Sequence, residues 1–322
     1  MIAPCPVPAP VPCGHVIVAR DVATGLTGVW LLSQVTEVTG SSGAPTLTAR
    51  GARLTRVAPA TGRTLARIDV PVAPDRLVQG WTGRLWVIGS PLAVVDPRTR
   101  AVRLVAGARC EGLVADARPG VWSYSPCSRA LTRRGGHGDP LGRPIPVPGS
   151  PAVAMALGAD GLFLARRTAG GTVVERRDPR DGRLLRRTRV ASPADGLVLR
   201  GGSIWALGGG TGALDRLDPL TLRRTARIRL PFRAPGGARL AVGGGAAWVT
   251  DGFGSRIARV DPRSERPRGR PLSPLPRDTV PVVIASGPRA VWVVALSDGT
   301  RSAICRLAPQ DGAVERCFPR SD

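Results

Sequence analysis

Short apolar segments, each with one aromatic residue at its centre, recur along the chain. They read GVWLLS, RLWVIG, GVWSYS, SIWALG, AAWVTD and AVWVVA, and GLFLAR is a variant with Phe in place of Trp. The aromatic anchors are Trp30, Trp86, Trp122, Phe163, Trp205, Trp248 and Trp292. Successive anchors are separated by 56, 36, 41, 42, 43 and 44 residues. This period is typical of a four-stranded propeller blade.

A second pattern follows most anchors, in which an apolar strand runs into a tight turn. The turn segments are RVAPATG, VVDPRTR, RRDPRDG, RLDPLTL, RVDPRSE and RLAPQDG. Asp at the start of such a turn accepts a backbone hydrogen bond, and Pro supplies the fixed φ of the next position. Another apolar segment with a Gly-rich end precedes several anchors, for example LAVGGG before Trp248. Each repeat therefore contains four predicted strands.

These patterns predict an all-β fold, a seven-bladed β-propeller of four-stranded antiparallel blades. The propeller is expected to span residues 14–322, after a proline-rich N-terminal tail at residues 1–13. A single four-stranded sheet cannot cover both of its faces, whereas sheets packed around a closed ring can. The anchor side chains are expected to be the wedges between blades. No amphipathic helices separate the strands, which argues against a doubly wound α/β fold.

Composition agrees with this prediction. The 41 Gly and 32 Pro disfavour long helices, while 43% hydrophobic residues are enough for a buried core. No run of 18 apolar residues is present, so no transmembrane segment is expected. The first residues, MIAPCPVPAPVPCG, lack the basic region and the proline-free apolar segment of a signal peptide.

The chain is strongly basic, with a net charge of +23, and every basic side chain is Arg. Guanidinium groups bind phosphate and carboxylate, so an anionic partner is compatible with this charge. The absence of Lys and the spread of Arg over the whole chain also fit a GC-rich codon bias. Aromatic residues make up only 4% of the chain, so stacking surfaces for bases are scarce and nucleic-acid binding is disfavoured.

The six cysteines fall into three local pairs. Cys305 and Cys317 are expected to face each other across a hairpin, Cys110 and Cys127 to share one face of the third blade, and Cys5 and Cys13 to bracket the prolines of the tail. None lies in a CxxC motif, and with two histidines in the chain no zinc site is expected. Disulfides would indicate an oxidising compartment, whereas reduced thiols in the cytoplasm are the alternative.

One face of the ring should carry the ligand-binding loops, namely those between blades and those after each anchor strand. The candidate ligand-face residues are Arg109, Glu111, Tyr124, Asp195, Arg233, Asp251, Arg256, Asp298 and Arg301, with Arg277 and Asp278 beside them. The longest such loop, residues 34–51, is a candidate lid or partner-contacting element.

The Arg that lies three residues before each turn Pro is better explained by structure than by anion binding. This Arg recurs as Arg56, Arg176, Arg216, Arg259 and Arg306. Where Asp follows two positions later, as in Arg216 with Asp218 and Arg259 with Asp261, the two side chains are expected to neutralise each other.

The segment AVGGGAAWVTDGFGSRIARVDPRSE, residues 241–265, resembles the YVTN-type propeller repeat, which is similar to the repeats of streptogramin B lyases. The resemblance covers nearly the whole chain. It implies the propeller fold, and for the lyases a metal-assisted elimination with a His base at the channel mouth. His15 lies at the N-terminal edge and His137 in a turn expected on the opposite face. No catalytic residue of that family is therefore transferred.

No catalytic, cofactor-binding or metal-binding constellation is predicted. The sequence is interpreted as a monomeric, extracytoplasmic recognition or scaffold module that binds a protein or an anionic glycopolymer on its loop face. The alternatives are a metal-assisted lyase or hydrolase that uses loop carboxylates, and for the compartment a cytoplasmic location.

Overall fold

The protein is a ring of seven four-stranded antiparallel sheets, described here from a computed structural model. The structure describes residues 14–320 except 26, 40–45, 81, 118, 191–193, 209, 234–237, 253, 274, 276–278, 288 and 298–300. This part of the chain contains strands and turns, and none of it is a helix long and apolar enough to cross a membrane. The prediction of a seven-bladed β-propeller is confirmed.

Each blade consists of four consecutive strands. Blade 1 contains β1 (Gly14–Gly25), β2 (Gly28–Thr39), β3 (Thr46–Val57) and β4 (Thr64–Val70). Blade 2 contains β5 (Ala73–Gln79), β6 (Leu85–Ser90), β7 (Ala93–Val95) and β8 (Val102–Leu104). Blade 3 contains β9 (Leu113–Ala117), β10 (Gly120–Ser125), β11 (Ala130–Gly135) and β12 (Ile145–Pro146). Blade 4 contains β13 (Ala152–Gly158), β14 (Gly161–Thr168), β15 (Gly171–Arg177) and β16 (Leu184–Val190).

The remaining three blades repeat this order. Blade 5 contains β17 (Ala194–Arg200), β18 (Ser203–Gly208), β19 (Ala213–Leu217) and β20 (Arg224–Arg229). Blade 6 contains β21 (Leu240–Gly243), β22 (Ala246–Thr250), β23 (Ile257–Asp261) and β24 (Arg266–Pro267). Blade 7 contains β25 (Thr279–Ser286), β26 (Val291–Ser297), β27 (Arg301–Leu307) and β28 (Val314–Arg320). The first strands contact one another in order around the ring, and β25 contacts β1. The first and last blades therefore close the ring without exchanging a strand.

All seven aromatic anchors lie on the second strand of their blade and are buried. The core forms where neighbouring blades meet. Trp205 and Leu214 of blade 5, for example, pack in one cluster with Ala247 and Val249 of blade 6. Truncating a buried aromatic side chain of this kind typically costs about 3–5 kcal/mol. The anchors are thus the wedges that the sequence predicts.

Arg216 and Arg259, before the turns of blades 5 and 6, each bind the next blade, so the predicted pairing of Arg216 with Asp218 and of Arg259 with Asp261 is wrong. Arg216 donates to Pro262 O at 3.2 Å and to a Glu265 oxygen at 2.9 Å, both in the next blade. Arg259 likewise donates to a carbonyl oxygen in the turn of blade 7. The turn Asp residues instead accept hydrogen bonds from backbone N–H groups of their own turns, because an Asp at the first turn position faces those donors.

The segment predicted as a long loop, residues 34–51, is mostly strand, which corrects that prediction. β2 and β3 pair from Val29 and Val57 out to Thr39 and Thr46, and β1 pairs along the same extension from Gly14. Blade 1 therefore carries a three-stranded extension that the other blades lack. Alternating polar and β-branched residues such as Val35, Thr36 and Glu37 favour strand over loop.

Two of the three predicted disulfides are present. Cys110, before β9, is bonded to Cys127 in the turn after β10. Cys305 and Cys317 are direct register partners on β27 and β28, as expected for a hairpin. Cys5 and Cys13 lie outside the described residues.

Candidate ligand-binding surfaces

The two faces of the ring are defined by the connections that lie on them. The loop face carries the connections between blades and those between the second and third strands of a blade. The turn face carries the connections between the first and second strands and those between the third and fourth strands. On the loop face, Arg109, Arg233 and Arg256 are exposed. The side chains of Asp195 and Arg301, and residues Arg277, Asp278 and Asp298 as a whole, lie outside the described set, so their assignment stays a prediction.

Glu111 and Tyr124 are buried, which corrects their assignment as ligand-face candidates. Glu111 accepts a hydrogen bond from Arg134 at 2.7 Å, and both side chains are almost fully buried. The same guanidinium group also donates to Ser123 Oγ at 2.9 Å. The Tyr124 hydroxyl accepts from the N–H of Ala152 at 3.1 Å and so joins blade 3 to the first strand of blade 4. These polar groups are hydrogen-bonded within the protein and stabilise the fold.

Asp251 is also buried and is not available to a ligand. Its carboxylate accepts a hydrogen bond from Gly254 N at 3.0 Å and from Arg256 Nε at 2.9 Å. The Arg256 guanidinium lies 5.3 Å from the centre of the Phe232 ring, within the range of a cation–π interaction. Both residues lie in a loop, as the sequence predicts. Their ion pair stabilises this loop, so Asp251 is not a ligand-binding residue.

An open cavity of about 670 Å³ lies on the loop face where blades 5 and 6 meet. The described residues of its lining include two arginines and no acidic residue. The lining residues are Thr211, Gly212, Arg229, Leu230, Pro231, Phe232, Arg233 and Pro267. Arg229 and Arg233 are both exposed, while Phe232 is buried beneath them. The cavity therefore offers the guanidinium group of Arg233, whereas the side chain of Arg229 faces blade 4, because Ile228 before it packs against blade 6 and neighbouring residues of a strand point to opposite faces.

A close approach of two loops shapes this cavity. Gly212 has a φ of 62°, in the left-handed region, and a Cβ there would lie 2.7 Å from Phe232 O. The N–H of Leu230 donates to Gly212 O at 2.8 Å. Glycine is required at this position because a side chain would push the two loops apart. The sequence signal for this approach is the glycine-rich segment GGGTG at residues 208–212.

Around the central channel, five of the seven first strands contain a β-bulge near the loop face. In blade 1 the residue after the bulge is Asp21, whose carboxylate accepts from the N–H of Leu77 in blade 2 at 2.8 Å and from its neighbour Val22 at 2.8 Å. Burial raises the pKa of Asp21 to about 6, against the lowering effect of these two hydrogen bonds and of Arg76. Asp21 therefore joins two blades and titrates near neutrality.

A second cavity, of about 450 Å³, lies on the turn face among blades 1 to 3. His137 lines it, as predicted for that face, and its Nε2 lies 3.1 Å from Arg84 Nη2. A guanidinium group only donates, so this imidazole nitrogen accepts. Asp96, also in the lining, accepts from Arg98 N at 2.9 Å, and that hydrogen bond is the main reason why the pKa of Asp96 is lowered. Nowhere among the described residues do three or more His, Cys, Asp or Glu side chains come together as a metal site.

No protein-family model matches this chain, and no curated protein matches it in sequence. Solved structures match its fold over nearly its whole length. A chain in the crystal structure of the mitotic checkpoint complex has 15% identity and a TM-score of 0.64, with 96% of each chain covered. Apo AztD from Citrobacter koseri has 12% identity and a TM-score of 0.56, with 95% of this chain and 94% of that chain covered.

A computationally designed protein, Ika8, is similar in the same way. It has 14% identity and a TM-score of 0.60, with 90% of this chain and 96% of that chain covered. At these identities the similarity concerns the fold. The chain is a seven-bladed β-propeller, and its function has to be argued from its own surfaces.

Proposed function

We propose that this propeller is a non-enzymatic recognition module that binds an anionic partner, a protein or a glycopolymer, at the loop-face cavity between blades 5 and 6. It acts as a monomer in an oxidising, extracytoplasmic compartment. The YVTN-type resemblance of its repeats agrees with a binding role, since such repeats build a rigid scaffold with variable loops.

The observation that supports this proposal is the charge of the cavity. Among the described residues, Arg229 and Arg233 belong to its lining and are exposed, and no carboxylate lies there with them. Arg256 is held in place by Asp251 and stacks on Phe232, which lines the cavity. Guanidinium groups bind carboxylate, sulfate or phosphate through paired hydrogen bonds.

The competing function, a lyase or hydrolase that uses loop carboxylates, has less support. Glu111 is held in a buried ion pair with Arg134, and the buried Asp251 pairs with the half-exposed Arg256. Removing Arg134 or Arg256 would leave a buried carboxylate without compensation, so both carboxylates serve stability.

The compartment is supported by the two disulfides. Cys110–Cys127 and Cys305–Cys317 each close a short loop, of 17 and 12 residues. Such bonds persist in oxidising compartments and are rare in the cytoplasm.

Calorimetric titration with two short anions tests the cavity: hexaglutamate for an acidic protein and a sulfated hexasaccharide for a glycopolymer. Replacing both Arg229 and Arg233 by Ala should weaken binding at least tenfold, because both charged contacts are lost. The matched control is R63A/R143A, which removes two exposed arginines elsewhere. Equal binding by the cavity variant and the wild type would refute the proposal. Turnover of either probe would support the enzyme instead.

A further inference from the structure

The outer strands of blades 4 and 5 are rich in arginine and contain no acidic residue. β16 reads LLRRTRV and β20 reads RTARIR. All six arginines on these strands are exposed: Arg186, Arg187, Arg189, Arg224, Arg227 and Arg229. An outer strand needs polar side chains to stay soluble, but both signs of charge would serve that purpose.

Strand alternation and the contacts show which of these side chains face each other. Arg186 donates to Thr221 O in blade 5 at 3.0 Å, so it points from blade 4 toward blade 5. Arg224 and Arg227 lie within 4 Å of the buried Asp215, on the face of blade 5 toward blade 4. Arg229 is two residues after Arg227 and shares its face.

These side chains define a surface between the two outer strands, here called the blade 4–5 groove. It consists of Arg186 and Thr188 from blade 4 and of Arg224, Arg227 and Arg229 from blade 5. Among the described side chains, this surface contains four guanidinium groups and one carboxylate, that of Asp215. The Cα atoms of Arg227 and Arg229 are about 7 Å apart, as for any two residues on one face of a strand.

The groove ends beside the cavity described above. Arg229 is the last residue of β20 and faces blade 4 with its side chain, and Arg233 lies four residues later in the lining of the cavity on the blade 6 side. A ligand that occupies both would therefore pass around the loop-face end of β20, from Arg233 to Arg229.

We infer that the partner is a linear anionic polymer with phosphate or sulfate groups along its backbone, bound in the cavity and along the blade 4–5 groove. This inference rests on the function proposed above. A line of cations on one strand matches a polymer with repeating charges better than a single compact anion. The exposed large hydrophobic side chains of the described residues are all aliphatic, so bases of a nucleic acid would find no stacking partner there.

The test compares short and long probes on three variants. The probes are a sulfated hexasaccharide, dextran sulfate, long-chain polyphosphate and a single-stranded oligonucleotide. The groove variant is R186Q/R224Q, which leaves Arg229, Arg233 and the partner of Asp215, Arg227, in place. The cavity variant is R233A, and R63Q/R143Q is the control with the same loss of charge.

The wild type should bind the long polymers at least tenfold more tightly than the hexasaccharide. The groove variant should bind the long polymers about tenfold more weakly and the hexasaccharide as tightly as the wild type does. The slope of its log affinity against log salt concentration should decrease by the equivalent of about two ionic contacts. R233A should weaken all probes. Sulfate and phosphate polymers are distinguished by their relative affinities.

If the groove variant bound the long polymers as tightly as the wild type does, the inference would be overturned. The proposed function would still stand if R233A bound the hexasaccharide more weakly than the wild type does. An equal loss in the control would also overturn the inference, because net charge alone would then explain binding. Preference for the oligonucleotide would replace the inferred partner by a nucleic acid.

Discussion

The junction between blades 4 and 5 and the junction between blades 7 and 1 carry different side chains at equivalent positions of their outer strands. Thr188 on the outer strand of blade 4 corresponds to Phe318 in blade 7, which lies over the turn of blade 1 so closely that a Cβ at Gly62 would overlap its ring. Arg229 corresponds to Asp69, which accepts a hydrogen bond from Arg53 at 2.7 Å. One junction has a small side chain and a cluster of exposed arginines at these positions, and the other has an aromatic ring and an ion pair.

This difference follows from how each junction is held. Blades 4 and 5 are joined by the short connection between Val190 and Ala194, so they stay together even with an open outer groove. Blades 7 and 1 come from opposite ends of the ring sequence and are held together by non-covalent contacts, among them Arg316 to Ala60 O at 3.4 Å. Closing such a long loop costs entropy, which packing must offset. Interior junctions are therefore free to carry a ligand surface.

The largest expected effect is at the disulfide of the closing blade. Cys305–Cys317 occupies the register position of Asp215 and Arg227 in blade 5. Replacing both cysteines by Ala should lower the free energy of unfolding by about 3 kcal/mol, since a short loop of the unfolded chain is no longer constrained. Urea unfolding under oxidising conditions measures it. A loss below about 1 kcal/mol would show that the closing blade does not depend on this bond.

Two inter-blade hydrogen bonds should differ in how their contribution to stability depends on pH. Asp21 joins blades 1 and 2, whereas Ala194 of blade 5 is held by the hydroxyl of Thr172, which does not titrate. The folded pKa of Asp21, about 6, lies above the unfolded value of 3.8, so the folded state takes up a proton as the pH falls between these values. Stability from this group is therefore present below about pH 4 and is lost as the pH rises to 6.

The expected size of this loss is on the order of 3 kcal/mol, because the pKa of Asp21 rises from 3.8 to about 6 on folding. Urea unfolding at pH 4.5, 5.5 and 6.5 should show that the free energy of unfolding of the wild type falls relative to that of D21N as the pH rises. A difference that stays constant with pH would show that Asp21 has an ordinary pKa. Thr172→Ser is the control and should give no slope.

Substitution of the ring at the closing junction should have a somewhat smaller effect. Phe318→Ala removes a half-buried ring and should cost about 1–2 kcal/mol, below the range for a fully buried one. Thr188→Ala, at the equivalent position of the open groove, should change stability by less than about 0.5 kcal/mol. Thermal unfolding of both variants gives the comparison. Equal costs would mean that the two junctions are packed alike.

The smallest effect on stability is expected from making the closing junction resemble the open one. Asp69→Arg places an Arg where blade 5 has Arg229 and breaks an exposed ion pair, which should cost less than about 1 kcal/mol. The variant should bind dextran sulfate a few-fold more tightly at low salt. Unchanged binding would show that register-equivalent arginines are not enough, and that the open shape of the blade 4–5 groove matters.

The blade repeat was accessible from the sequence because each blade meets the same physical demand. Every blade needs one large apolar wedge on its second strand, so Trp30 and its six counterparts mark the repeat directly. The Asp–Pro turns are equally local. The disulfide of Cys305 with Cys317 could be predicted because a hairpin sets its register from the turn outward.

The site was less accessible because burial depends on partners that are distant in sequence. Glu111 looks like an exposed loop residue until Arg134, on the third strand of the same blade, is brought beside it. Arg216 was expected to pair with Asp218 in its own turn, but its partner is Glu265 in the next blade. The blade 4–5 groove was missed because its charges come from two segments about 40 residues apart whose faces only the ring aligns.

The pairing of each sheet from four consecutive strands has a consequence for how the ring can vary. No hydrogen-bond ladder crosses from one blade to the next in the described part of the chain. A circular permutation that opens any inter-blade connection, or the duplication of a whole blade, would leave every ladder intact and alter only wedge contacts. New surfaces of the 4–5 kind can thus arise by shuffling complete blades.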